Sequence, residues 1–240
     1  SAAIRSDGLL FTWGSCTNGR LGDGTATTRS SPVQIGSSSW TAVSAGSAHT
    51  AAIRSDGLLF TWGLGTSGRL GFTTKIYSWT AISAGASHMV AIRSDGLLFA
   101  WGLGTSGQLG DGTSTSKSSP VQIGSSSWTA VSAGQQLTAA IRSDGKLFTW
   151  GAGTRGQLGD GTIVSKSSPV QIGTSSWTSV SVGDFKTGAV RSDGLLFTWG
   201  NNNWGQLGDG TTPQSSSPVQ IGSDTWTEVR FGQQHTIARK

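Results

Sequence analysis

Three histidines are the residues of this 240-residue sequence that could bind a metal ion together. His49, His88 and His235 stand at equivalent places of an internal repeat, so a closed ring would carry them on consecutive copies. Zinc requires ligand nitrogens about 2 Å from one centre, whereas equivalent points on adjacent copies are several ångströms apart. Leu137 and Lys186 replace histidine in the other copies. The sequence therefore predicts hydrogen-bonding histidines and no metal site.

Glycine-rich segments are the second candidate for ligand chemistry. Residues 63–68 match the dinucleotide fingerprint G-x-G-x-x-G, as do residues 102–107 and 151–156. That fingerprint points a helix N-terminus at a pyrophosphate, and here Arg-Leu-Gly or Gln-Leu-Gly follows instead of a helical pattern. The Asp-Gly-Thr loops likewise lack the ligand density of a calcium site. With no nucleophile–base pair and no paired acids, the sequence predicts neither a cofactor nor a catalytic site.

A tryptophan outside the repeated pattern is a candidate for contact with a partner. Trp204 follows Asn201, Asn202 and Asn203, and its counterparts in the other copies are all polar. An aromatic ring beside amides can stack on a sugar or anchor a protein contact, and packing against a neighbouring loop is the alternative. We predict a contact surface formed by these four residues and by further loop residues. The further residues are Phe185, Lys186, Gln135, Gln136, Gln233, Gln234, His49, His88 and His235.

A repeat of 49 residues must position these side chains. Trp-Gly pairs begin at positions 13, 62, 101, 150 and 199, with spacings of 49, 39, 49 and 49 residues. In one copy the pattern predicts strands at 128–133, 138–142, 146–150 and 167–172, with small residues in the first and a proline in the last. Four antiparallel strands per copy are typical of propeller blades. The sequence therefore predicts an all-β propeller with the first strand innermost and with tryptophan, leucine and phenylalanine between the blades.

The ends of the chain leave two arrangements of the blades open. Five first strands and six second strands can be counted, because 1–5 and 236–240 occupy the same place in the repeat. We expect a five-bladed ring in which 226–231 joins the third and fourth strands of the N-terminal segment, so that no full-length sheet edge stays open. The alternative is part of a longer, seven-bladed ring. Residues 1–240 are predicted to form a single propeller domain.

Antiparallel order divides the connecting segments between two faces. The first-to-second and third-to-fourth loops share one face, and the Ser-Asp-Gly turns share the other with the connections between blades. Arg-Ser-Asp-Gly recurs five times, as expected of a local ion pair, and its removal leaves 12 basic and 7 acidic residues, so the net charge of +5 lies elsewhere. The loop face is mildly positive, which suits an anionic partner, but it lacks the basic stripe of nucleic-acid-binding proteins. Differences between copies concentrate there, where specificity can reside.

Three phrases resemble the repeats of the regulator of chromosome condensation family. They are GQLGDGT at 107–113, 156–162 and 205–211, SSPVQIG, and AGSAHTAAIRSDGLLFTWG at 45–63. The resemblance covers essentially the whole chain and implies a β-propeller, usually of seven blades, that offers a loop face to another protein. It does not extend to the family's photoreceptors, because the first-to-second loops contain no tryptophan, or to its nucleotide-exchange members, because no inserted wedge is present. The bacterial members that inhibit β-lactamases are the closer functional model.

The amino-acid composition further limits the classes of function that are expected for this chain. With 37 glycines, 11 tryptophans and 12% charged residues, the chain is too apolar and aromatic to be disordered, and its single cysteine cannot form an intramolecular disulfide. No apolar run is long enough for a transmembrane helix, so membrane insertion is not expected. We predict a non-enzymatic interaction module that presents one propeller face, or its central channel, to a protein or glycan partner. A lectin-like propeller and a structural protein of a phage virion or bacterial surface, part of a larger assembly outside the cytoplasm, are the alternatives.

Overall fold

The structure is a computed structural model that describes residues 1–71, 77–231 and 236–240. Within these ranges the chain forms strands joined by turns and by one-turn 3-10 helices at Thr17–Gly19 and Thr66–Gly68. No helix in the described ranges is long and apolar enough to cross a bilayer. The strands are β1 (Ala2–Ile4), β2 (Leu10–Gly14), β3 (Arg29–Gln34), β4 (Trp40–Ala45), β5 (His49–Arg54), β6 (Leu59–Gly63), β7 (Trp79–Ala84), β8 (His88–Arg93), β9 (Leu97–Gly102), β10 (Lys117–Ala133), β11 (Leu137–Arg142), β12 (Leu147–Gly151), β13 (Lys166–Gln171), β14 (Trp177–Val182), β15 (Lys186–Arg191), β16 (Leu195–Gly200), β17 (Ser215–Thr225), β18 (Glu228–Phe231) and β19 (Thr236–Arg239).

These strands form antiparallel blades at the predicted places. β7–β10, β10–β13 and β14–β17 are blades of four strands whose spatial order follows the sequence. β4–β6 form a three-stranded sheet in the shortened repeat, which lacks ten residues in the region of the outer strand. In the blade β10–β13, Ala140 pairs with Val131 on one side and with Phe148 on the other, and Phe148 pairs in turn with Gln171. The predicted four-stranded antiparallel propeller blade is confirmed.

β10 differs from the prediction because it continues through the connection between two blades. The sequence pattern predicts a break between the outer strand of one blade and the inner strand of the next, and residues 172–176 form such a break after β13. β10 instead extends over 17 residues, since Ser127 in the connection still pairs with Leu97 of β9. One strand therefore joins two blades into a sheet of seven strands.

The first strands line a narrow hub. β4, β7, β10, β14 and β18 contact one another in that order, and the loops after the first four of them begin with glycine. A Cβ atom on Gly46 would lie 2.4 Å from the carbonyl oxygen of Gly85, and a Cβ atom on Gly85 would lie 2.4 Å from that of Gly134. Only glycine permits such a close approach of neighbouring blades. The predicted innermost position of the small-residue strand is confirmed.

Tryptophans of four third strands hold their blades to a loop of the preceding repeat. The indole N–H of Trp150 donates to the carbonyl oxygen of Gln108 at 3.0 Å, and the ring is fully buried. Gly110 lies directly against this ring, because a Cβ atom there would be 2.6 Å from Nε1 of Trp150. Equivalent hydrogen bonds join Trp62 to Arg20, Trp101 to Arg69 and Trp199 to Gln157. The prediction that tryptophan fills the space between blades is confirmed.

The predicted seam between the chain ends is not formed by the strands that the structure describes. β18 pairs with β19, whereas β1 pairs with β2 in a separate sheet of three strands. β1 and β19 correspond to the same second strand of the repeat, and β19 occupies that place beside β18. The predicted seam is therefore not confirmed, because among the described residues β1–β3 and β18–β19 pair in separate sheets.

Candidate binding face

Two sets of loops meet on one face of the propeller. Backbone N–H groups of the third-to-fourth loops donate to carbonyl oxygens of the first-to-second loops, as Ala152 does to Gln136 at 2.8 Å. The Ser-Asp-Gly turns lie on the other face, where Ser143 donates to Ser127 of the connection between blades at 2.9 Å. The loop face comprises residues 15–28, 46–48, 64–71, 85–87, 103–116, 134–136, 152–165, 183–185 and 201–214. The turn face comprises residues 5–8, 54–57, 93–96, 142–145 and 191–194.

The third-to-fourth loops share one hydrogen-bonded frame. Asp111 accepts hydrogen bonds from the backbone N–H and the hydroxyl of Thr113, at 3.0 and 2.8 Å, which closes the Asp-Gly-Thr turn. In the next repeat Thr149 of β12 donates to the carbonyl oxygen of Leu158 at 2.7 Å, which ties the loop to its blade. Thr12, Thr61 and Thr198 make the equivalent bond. Residues that differ between copies are thus carried on a common backbone.

The loop 201–214 exposes Trp204 and buries Asn202. The Trp204 side chain is 74% exposed. The Asn202 amide donates to Asp209 at 3.1 Å and to the carbonyl oxygen of Thr211 at 2.9 Å, while its Oδ1 accepts the N–H of Leu207 at 2.9 Å. Because Asn202 is fully buried and bonded across the loop, it positions the loop and does not belong to the contact surface that we predicted.

Other predicted contact residues are accessible on the loop face. Phe185 is half-buried, and the guanidinium carbon of Arg155 lies 5.3 Å from its ring centroid, which is a cation–π distance. Asn203 is exposed, and Asn201, Gln135 and Gln136 are half-buried. The predicted residues Gln233, Gln234 and His235 lie outside the described part of the chain.

His49 and His88 lie buried at the starts of second strands, between neighbouring blades. Nε2 of His88 is 2.9 Å from the hydroxyl of Thr138 in the next blade, and that hydroxyl donates to the carbonyl oxygen of Gln108 at 2.8 Å. Met89 occupies the position equivalent to Thr138 in the blade that follows His49. Neither ring nitrogen of His49 has a hydrogen-bond partner among the described residues. The predicted hydrogen-bonding histidine is confirmed for His88 and is not confirmed for His49 by the described residues.

Burial sets the charge of these side chains. It lowers the pKa of His49 to about 4 and that of His88 to about 3, so both rings are neutral at neutral pH. Lys186, at the equivalent place, has its ammonium 5.3 Å from the ring centroid of Phe231; burial lowers its pKa and the charge of Asp184 opposes this. All three side chains are closed to solvent and are therefore excluded from the contact surface.

Ile163 and Val164 are exposed apolar residues outside the predicted contact set. Their side chains are 58% and 57% exposed, and the other full-length copies carry Ala-Thr, Ser-Thr or Thr-Pro there. The comparison between copies that singles out Trp204 also identifies this pair. Their loop touches the next blade, because Gly161 donates to the carbonyl oxygen of Ser216, just beyond the loop of Trp204, at 2.9 Å. We name the residues on these two adjacent blades the loop patch: Arg155, Ile163, Val164, Phe185 and Trp204.

The mouth of the hub offers less chemical variety. A pocket of about 310 Å³ lies there, lined mainly by alanine and glycine at the ends of the first strands, together with Asp184 and Phe231. Within the described residues no group of three or more histidine, cysteine, aspartate or glutamate side chains is arranged to hold a metal ion. Among the described residues of this face, the large apolar side chains that are exposed are Ile163, Val164 and Trp204, and all three belong to the loop patch.

Sequence comparison identifies the repeat over most of the chain. The family model for the regulator of chromosome condensation (RCC1) repeat matches residues 7–53, 95–141, 144–190 and 193–239. A second model of the same repeat matches residues 40–69, 79–108 and 128–157. No curated protein matches the sequence.

Solved structures share the fold. Prp20p from Saccharomyces cerevisiae, studied for its binding to Gsp1p and histones, matches with a TM-score of 0.84 and 19% identity over 99% of this chain and 65% of that one. Yeast RCC1 (Prp20) bound to Kap60 matches with a TM-score of 0.86 and 19% identity over 99% and 63%. Human WBSCR16 matches with a TM-score of 0.62 and 18% identity over 95% and 80%. This chain thus spans less than two thirds of the length of the two yeast chains.

Proposed function

Because the chain belongs to the regulator of chromosome condensation (RCC1) repeat family, we propose that it is a non-enzymatic binding module whose loop face contacts a partner protein. Residues 1–240 act as one propeller domain in this proposal. The observation that carries it is the loop patch, where exposed apolar side chains replace polar ones on two adjacent blades of a repeated frame. Exposed apolar groups with a polar rim are typical of protein-interaction sites.

The loop patch has the composition of an interface centre. Tryptophan and arginine are the residue types most enriched among energetically dominant interface residues, and phenylalanine is enriched at interfaces as well. Trp204 has most of its ring free, and each 100 Å² of apolar area that a partner covers is worth about 2.5 kcal/mol before the costs of association. Arg155 lies over Phe185, so a partner would meet side chains that are already ordered.

Proteins of the same fold support a protein partner. Prp20p has been studied for its binding to Gsp1p and histones, and yeast RCC1 has been seen bound to Kap60. The identity of 19% carries the fold to this chain and does not carry those partners. The glycan-binding and the virion or cell-surface alternatives have no comparable support. The hub mouth is the less suitable surface because its alanine and glycine lining is nearly the same in every copy.

Variants that copy residues from other repeats test the proposal with little change to the fold. Trp204→Ser introduces the residue of the third repeat, and the double variant Ile163→Ser, Val164→Thr introduces its Ser-Thr pair. Lys146→Leu, on the segment after a turn-face hairpin, introduces the leucine of the other repeats and is the matched control. Immobilised wild-type and variant chains are exposed to cell extracts and to a glycan array, and captured proteins are identified by mass spectrometry after crosslinking.

We expect a protein that the wild type and the Lys146→Leu control retain, and that the loop-patch variants bind about tenfold or more weakly. Two results would contradict the proposal. One is a glycan ligand without any protein partner. The other is a protein partner whose affinity is the same for wild type and loop-patch variants.

A further inference from the structure

Ion pairs at the edge of the loop face, between its aspartates and the first residues of the outer strands, hide their carboxylates and expose their cations. Three repeats pair the aspartate of the Asp-Gly-Thr turn with the basic residue that begins the outer strand. In these pairs 3–8% of the aspartate side chain is exposed, against 29–34% of the basic side chain. The pairs are Arg29–Asp23 at 2.8 Å, Lys117–Asp111 at 3.2 Å and Lys166–Asp160 at 3.7 Å.

The geometry of the turn causes this orientation. Asp160 accepts hydrogen bonds from the backbone N–H and the hydroxyl of Thr162, at 2.9 and 2.8 Å, which hold its carboxylate beneath the loop. Lys166 begins the strand outside the turn and covers that carboxylate from the solvent side. In the first repeat, hydrogen bonds from Arg29 and Thr25 lower the pKa of Asp23, so this pair stays ionised. With the cation outermost, a neutral pair still gives a positive potential at the surface.

The ion pairs of the turn face, by contrast, expose their carboxylates. The five aspartate side chains are 46–49% exposed, and four of the five partner arginines are less exposed, at 21–32%. The arginines lie over phenylalanine rings, as Arg142 does at 4.7 Å from the ring centroid of Phe148. This contact holds the guanidinium against the blade and leaves the carboxylate exposed beside it. The ion pairs therefore expose mainly the cation on the loop face, whereas they expose both charges on the turn face.

Other charges on the loop face add to this polarity. Arg155 is exposed within the loop patch. Asp184 and Asp209 are the remaining loop-face carboxylates in the described ranges, and both are half-buried. Asp209 accepts hydrogen bonds from Asn202 and Thr211, so its charge is turned into its own loop. The potential at the loop face is therefore more positive than its numbers of acidic and basic residues suggest.

We propose that the loop face recognises an acidic segment of its partner protein, with the loop patch as the apolar anchor. This proposal rests on the proposed function and names the chemistry of the partner. A nucleic acid fits less well, because the paired cations occur once in a blade and each has a carboxylate within 3.7 Å. A continuous row of phosphates would therefore meet a carboxylate with every paired cation, whereas an acidic protein segment can place single carboxylates at the cations.

Labelled peptides of one length and different charge test the proposal. The probes are a peptide rich in glutamate with leucine anchors, the same peptide with glutamine or with lysine in place of glutamate, and a single-stranded DNA oligonucleotide. Binding to the wild-type chain is measured by fluorescence anisotropy at low and at physiological salt. We expect the glutamate peptide to bind about tenfold more tightly than the glutamine peptide, with the difference shrinking as salt is raised.

Variants of matched charge locate the effect on one face. Lys166→Ser, which introduces the residue found at the equivalent position 215, should weaken binding of the glutamate peptide about threefold, and Asp160→Asn should strengthen it by a similar factor. Lys146→Ser and Asp144→Asn make the same charge changes on the other side of the propeller and should leave binding unchanged. Thermal unfolding followed by circular dichroism verifies that each variant is folded.

Three results would overturn the inference: equal binding of the glutamate and glutamine peptides, equal effects of Lys166→Ser and Lys146→Ser, or tighter binding of the oligonucleotide than of the glutamate peptide. Failure of the proposed function gives a different pattern. A partner that depends on Trp204 but binds through a neutral or basic segment refutes the acidic partner and leaves the binding face in place. A charge preference without any partner that depends on the loop patch refutes the binding face itself.

Discussion

The glycine beneath each inter-blade tryptophan provides a sharp test of how the blades are held together. Gly159 has a φ of +78°, and a Cβ atom there would lie 2.5 Å from Nε1 and 2.8 Å from Cε2 of Trp199. Gly208 is the same residue of the next repeat, with a φ of +75° and the same flanking Leu and Asp, but its Cβ atom would find Ile221 at 4.0 Å as its nearest neighbour. The two alanine variants therefore share the backbone strain and differ in the clash.

The difference between the two variants can be estimated from these contacts. Alanine in the left-handed region costs about 1–2 kcal/mol at either position, and this term cancels in the comparison. At position 159 the added methyl must also displace the Trp199 ring, which costs about 1–3 kcal/mol as overpacking. It weakens the hydrogen bond from Trp199 to the carbonyl oxygen of Gln157, now 3.0 Å long and worth about 1 kcal/mol. We expect Gly159→Ala to be less stable than Gly208→Ala by about 2–4 kcal/mol.

Urea titration followed by tryptophan fluorescence and circular dichroism measures this difference. Coincident transitions with equal slopes would allow the free energies of unfolding of the two variants to be compared directly. If both variants lose the same stability within about 0.5 kcal/mol, the tryptophan does not hold the blades together and our account of the interface between blades is refuted.

Three further predictions concern charge and loop structure. Burial lowers the pKa of His88 to about 3, below its unfolded value of about 6.5, so the stability that the neutral ring contributes is fully present above pH 6.5 and declines as the pH falls towards 3. The variant His88→Leu, which copies Leu137, should make the urea midpoint depend less on pH in this range. An unchanged pH dependence would contradict the prediction. Asn202→Ala should cost about 1–3 kcal/mol by removing bonds across its loop, whereas the exposed Asn203→Ala should stay within about 0.5 kcal/mol in the same titration. Trp204→Ser should leave the thermal midpoint nearly unchanged because its ring is 74% exposed, and a marked loss of stability would show that the ring is a packing residue.

The blades could be predicted from the sequence because two separate sequence phrases recur with the same spacing. The Trp-Gly and Trp-Thr phrases mark the third and first strands of each copy, and the small residues of the first strand identify the hub. Closure could not be predicted in this way. Residues 1–5 and 236–240 match the same strand equally well, and the structure pairs both of them, β1 with β2 and β19 with β18.

Burial in the candidate site was predictable only where its cause is local. Trp204 stands out by comparison between copies, and its exposure agrees with the polar residues found at its equivalents. The burial of Asn202 depends on Asp209 and Thr211, which return from the far end of the loop, so a linear comparison does not reveal it. The charge orientation is likewise invisible in the residue count, because it depends on which member of each pair lies outermost.

The tryptophan contact also makes blades interchangeable in evolution. Trp150 donates to Gln108 and Trp199 donates to Gln157, so both sides of the contact recur after 49 residues. A gene duplication or deletion of one such unit would leave every remaining tryptophan facing a Leu-Gly loop of the same form. The shortened second repeat illustrates this tolerance, because Trp101 still donates to Arg69 although ten residues are missing beyond it. Blade number can therefore change in single genetic steps without loss of the tryptophan contact between the remaining blades.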